Sequence, residues 1–81
     1  MVNPKAVIEE ILATGLKVSL ERERLAVIFQ KSGIRLDAEM RIAEISGDPL
    51  IALKSLMRNL SDLAVVKISA KQVVRRAGLT L

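Results

Sequence analysis

Cations are the side chains of this chain whose types and spacing best suit chemistry. Lys54 and Arg58 stand four residues apart, Lys71 and Arg75 repeat that spacing, Arg76 adjoins them, and Lys67 comes shortly before. Residues four apart share one face of a helix. Two helices set side by side would therefore gather all six into a surface suited to a phosphate backbone or an acidic partner. Their surroundings favour this. Residues 1–48 carry seven basic and eight acidic side chains, whereas residues 49–81 carry six basic and one acidic, Asp62. The competing reading is that Arg58, Arg75 and Arg76 each complement the dipole at a helix C-terminus.

Other chemistry is poorly supplied. The 81 residues include no histidine and no cysteine, which removes disulfides, thiolate sites and the usual zinc, copper and haem ligands. No metal or cofactor is expected. A nucleophile would lack a histidine base, and most hydroxyls fall where helix caps account for them. Glu9 with Glu10, Glu21 with Glu23, and Glu39 with Glu44 read as solvated faces. Glycine-rich phosphate loops and calcium-loop spacings are absent. The chain reads as non-enzymatic, with no small-molecule substrate.

Base readout is also poorly supported. Phe29 is the single aromatic residue, too few for stacking on single strands. A helix-turn-helix around Gly33 fails, because Phe29 stands where a small residue is required and Glu39 where an aliphatic is. The stretch from Ser69 resembles the first half of such a motif, but no recognition helix is expected after it. Any nucleic-acid contact would be made through the backbone.

Protein association draws on an aliphatic surplus. Counting glycine, 45 of the 81 residues are apolar, above the share usual for soluble domains. The stretch after Pro49 is apolar over more than half its circumference, and Leu50, Ile51, Leu56, Leu60, Leu63 and Val65 are candidates for a partner face. The alternative is a central helix wrapped on several sides.

The elements that must position these residues are marked by glycine and proline. Asn3-Pro4 and Asp48-Pro49 each place a capping residue before proline, as at a helix start. Gly15, Gly33 and Gly78 come after periodic apolar stretches, and the pairs Ile11/Leu16, Phe29/Ile34 and Val74/Leu79 fit closure by a Schellman motif. These signals predict helices over 4–14, from just after Ser19 to about Lys31, from an Asp37 cap through Ala38, Ile42 and Ile45, and over 49–59. A last helix is predicted from a Ser69/Gln72 capping box with an Ile68/Val73 staple, ending at Gly78. Residues 61–68 read as a turn leading into an extended connection.

The expected fold is therefore all-α: a compact orthogonal array of about five short helices in a single domain, 1–81. Phe29, Ile11, Leu53 and Met57 should share its core. No apolar run reaches the length of a membrane span and no secretory pattern opens the chain, so a cytoplasmic protein without membrane contact is expected. The expected function is a binding or regulatory module that docks to a protein partner or associates with itself. Backbone contact with nucleic acid through the basic C-terminal face is the alternative.

Overall fold

The computed structural model describes residues 3–16, 20–61 and 63–80. The helix start at Asn3-Pro4 is as the sequence dictates. The Lys5 backbone N–H donates to Asn3 Oδ1 at 3.0 Å, and α1 (Pro4–Ile11) buries Val7, Ile8 and Ile11. Closure at Gly15 does not occur. The chain continues as a π-helical turn, Leu12–Leu16. The i to i+5 bonding widens the turn, and Ile11 and Leu16 at either end of it are both buried, each 2% exposed. The expected aliphatic pair is buried by a wider turn instead of a glycine cap. Ser19 lies outside the described residues.

Helix α2 (Arg22–Lys31) carries Glu23 in its first turn and buries Leu25, Ile28 and Phe29. Gly33, at φ +81°, turns the chain out of the helix, a conformation costly to any residue with a Cβ. Beyond Gly33 the chain forms a β-hairpin. Strand β1 (Ile34–Leu36) pairs antiparallel with β2 (Ile42–Ile45), matching Ile34 with Ile45, Arg35 with Glu44 and Leu36 with Ile42.

The hairpin overturns the predicted third helix, and with it the five-helix all-α array. Its register explains why the sequence misleads. Ile34 and Leu36 are two apart on one face of β1, so their partners Ile45 and Ile42 share that face although three apart. A bulge at Ala43 makes up the difference. Three-residue spacing between apolar residues reads as a helix when the bulge is unseen. Asp37 does cap backbone donors, but those of a turn. Its Oδ1 accepts from the N–H groups of Glu39 and Arg41, both at 2.9 Å, and its own N–H donates to the Arg41 carbonyl at 2.8 Å. Met40 closes this three-residue loop at φ +62°, the left-handed position such loops require.

Helix α3 (Pro49–Asn59) has the predicted bounds, with Asp48 Oδ1 accepting from the Leu50 N–H at 2.9 Å. Helix α4 (Ala64–Arg76) begins five residues before the expected Ser69 start. The capping box and staple do not form: Ser69, Gln72 and Ile68 are exposed in the helix interior. Nor is 64–68 an extended connection. The longer helix puts Val66 on the same stripe as Ala70, Val73, Val74 and Ala77, all packed into or against the core, which a start at Ser69 would leave incomplete. Closure at Gly78 (φ +80°) is as expected, with the Leu79 N–H donating to the Val74 carbonyl at 3.2 Å.

Among the described residues the architecture is four helices and one two-stranded antiparallel sheet. Helix α1 packs on α3 and α4, while α2 packs on β1 and α3. Ile8, Phe29, Leu53, Leu56 and Leu60 are fully buried where these meet. Ile11 joins them and Met57 packs at the edge, so the four expected core residues do share one core. Ser32 is the one buried polar residue among those described. Its Oγ donates to the Ile28 carbonyl and accepts from Asn59 Nδ2, both at 2.9 Å, tying the C-terminal ends of α2 and α3 together.

Candidate functional site

Helices α3 and α4 leave an open groove of about 680 Å³ between them, and cations line it. Lys54 and Arg58 come from α3, and Lys67, Lys71 and Arg75 from α4. The early start of α4 is what brings Lys67 into line, four residues before Lys71 and eight before Arg75. These three span about 12 Å along the helix at 1.5 Å per residue.

Five of the six cations singled out in the sequence therefore converge, and the sixth does not. Arg76 turns to the other side of α4, where its guanidinium lies 3.6 Å from the Glu10 carboxylate on α1. That carboxylate is 66 positions away in the chain, so spacing along the sequence carries no sign of the pair.

The rest of the lining is three apolar side chains and Thr80. Val74 is buried, Met57 and Leu79 are half-buried, and all three line the groove. Sequence reasoning placed Met57 in the core and paired Val74 with Leu79 at the helix end, and missed the role of all three as the groove's floor. One signal could have found it. Ile51-Ala52-Leu53-Lys54-Ser55-Leu56-Met57-Arg58 and Ile68-Ser69-Ala70-Lys71-Gln72-Val73-Val74-Arg75 match in kind at a separation of 17 residues. Each has isoleucine, then lysine three on, an apolar residue at six and arginine at seven. Lys54 and Lys71, Met57 and Val74, and Arg58 and Arg75 are thus equivalent positions on the two walls.

The charges lining the groove are of one sign among the described residues. Among the described residues no carboxylate lines it, and none of its five cations has a carboxylate within 4.0 Å. Asp62 lies outside those residues. By contrast, the cleft between α2 and the hairpin is smaller, about 380 Å³, and its charges Arg35 and Glu44 pair with each other at 3.9 Å. Clustered cations repel one another, an arrangement that gains free energy when an anion arrives.

The candidate partner-face residues divide. Ile51 is 63% exposed, while Leu56 and Leu60 are fully buried in the core and have no surface to offer. Leu50 and Leu63 are half-buried; the Val65 side chain lies outside the described set. Ile68, 59% exposed, occupies on α4 the position equivalent to Ile51 on α3. Both stand on the outer edge of a cation row.

The donors of this groove are ammonium and guanidinium groups, which hold carboxylates or phosphates. Among the described residues no group of three or more acidic side chains could hold a metal ion, and no helix is long and apolar enough to cross a membrane. Comparison with family models, curated proteins and solved structures gave no match.

Proposed function

We propose that this protein is a non-enzymatic docking module of the cytoplasm that binds an acidic segment of a protein partner in the α3/α4 groove. The observation carrying this reading is the convergence of five cations over the apolar floor of Met57, Val74 and Leu79. Phosphates would use the cations and leave the floor empty. A polypeptide with carboxylates and aliphatic side chains uses both, and exposed Ile51 and Ile68 extend the apolar contact beyond the rows.

The second reading, nucleic acid held by its backbone, draws on the charge alone. It gains nothing from stacking, since Phe29 is fully buried. Self-association, with Ile51 and Leu50 against a second copy, draws on the exposure of Ile51.

A fluorescence-anisotropy titration compares these readings. The probes are a short peptide of glutamate and leucine, an all-glutamate peptide of equal charge, and a mixed-sequence duplex, all at low salt. Docking predicts the mixed peptide tightest, with binding weakened by Met57→Gln as well as by Lys71→Glu. Tighter duplex binding, with affinity falling steeply as salt rises, would replace docking by the nucleic-acid reading. Concentration-dependent sedimentation without added ligand would support the second copy.

A further inference from the structure

We infer that the element docked in the groove is an amphipathic α-helix with carboxylates along both flanks of a narrow aliphatic stripe. This inference rests on the docking reading above and specifies the shape of its partner. Both walls carry the same arrangement. On α3, Met57, Lys54 and Arg58 fan across about 100° of the helix circumference, and on α4, Val74, Lys67, Lys71 and Arg75 fan across about 100°. In each fan the apolar residue is the least exposed and the cations lie outward. An occupant must therefore send apolar groups down the middle and anions to the left and to the right.

An extended strand cannot do all three. Its side chains alternate between two opposite directions. Turned to face the floor, it points the other set at solvent; turned to face both walls, it offers the floor only backbone. Neither orientation meets the three demands. A helix meets them together, because a stripe at i, i+4 and i+7 leaves flanking positions on either side. The 12 Å row from Lys67 to Arg75 spans about two turns of such a helix. A carboxylate one turn further along the docked helix meets the next cation of the row.

The geometry requires that both walls contribute. Lys54→Glu and Lys71→Glu occupy equivalent positions on opposite walls, and both side chains are exposed, so both variants keep their fold, which circular dichroism verifies. The probe is a peptide of about 15 residues, long enough to be helical when supported, with a leucine stripe flanked by glutamates. Its helix is fixed by a hydrocarbon staple on the solvent face. A second peptide of identical composition alternates leucine and glutamate and favours an extended chain.

With the intact protein, the stapled helix is expected to bind about tenfold or more tighter than the alternating isomer, because its ordering cost is already met. Each charge reversal should weaken it by about tenfold or more. Equal affinity for the two isomers would overturn the helical partner while leaving acidic docking intact, as would a loss confined to one wall. Failure of both peptides to bind would overturn the docking reading itself and the inference with it.

Discussion

Replacing Ser69 by alanine should stabilise the protein, and the sign of the effect tests how α4 is built. Were Ser69 the cap of a helix beginning there, the change would remove a capping bond at a cost of about 0.5–2 kcal/mol. In the structure α4 starts at Ala64, and Ser69 is an exposed interior residue without a side-chain hydrogen bond among those described. Alanine is the better helix former there by up to about 0.5 kcal/mol. For a domain of this size 1 kcal/mol moves the melting temperature by about 4–8 °C. The expected rise is therefore at most about 2–4 °C in a thermal melt monitored by circular dichroism at 222 nm. Ile68→Ala, which would break the staple, should shift the midpoint little, because that side chain is 59% exposed. A fall of about 4 °C or more for Ser69→Ala would refute the early start. It would also remove Lys67 from the cation row, since only a helix reaching back past residue 67 aligns it with Lys71.

The packing and the turn give three further outcomes. Leu56→Ala should cost about 2–5 kcal/mol and Ile51→Ala less than about 0.5 kcal/mol in urea titrations, separating the buried from the exposed candidate on one helix. The Ser32–Asn59 bond, 2.9 Å long and spanning 27 residues, should give a coupling of about 1 kcal/mol in a double-mutant cycle with Ser32→Ala and Asn59→Ala; additive effects would show it contributes nothing. The Arg41 backbone N–H, aided by the Glu39 N–H and the Arg41 guanidinium, holds the Asp37 carboxyl below the ordinary aspartate range. A lowered folded-state value means that its stabilisation is complete above the unfolded value, near pH 4, and lost as pH falls through the folded one. Wild type should therefore lose stability more steeply than Asp37→Asn below about pH 4, and parallel acid melts of the two would contradict this.

Where the chain announces its turns with residues that have few alternatives, the fold is legible. Asp48-Pro49 fixes the start of α3 because proline at the first helical position needs no partner for its missing N–H. Gly78 fixes the end of α4 because Leu79 can fold back on Val74 only through a left-handed residue. The hairpin is hidden because its bulge converts a two-residue period into the three-residue spacing of Ile42 and Ile45. The start of α4 is hidden because serine and glutamine three apart satisfy a capping box and an exposed helix face equally well. Leu63, which precedes the helix, makes no side-chain cap at all. Of the candidate groove, the cation spacing is visible in the sequence, since it depends on one helix at a time. The pairing of Arg76 with Glu10 and the floor beneath the cations depend on which helices become neighbours. That is decided by the burial of Leu53, Leu56 and Leu60 against the rest of the core.

Mapping where an acidic peptide lands tests the central claim most directly. With ¹⁵N-labelled protein and a glutamate-leucine peptide added stepwise, amide shifts are expected at residues 54–58 and 67–80. The α2/hairpin cleft, whose charges are already paired, should stay unmoved. The Arg76 and Glu10 side chains should keep their contact, because they lie outside the groove. Shifts centred on the hairpin, or none while the peptide is in excess, would contradict the assignment of the α3/α4 groove as the docking site.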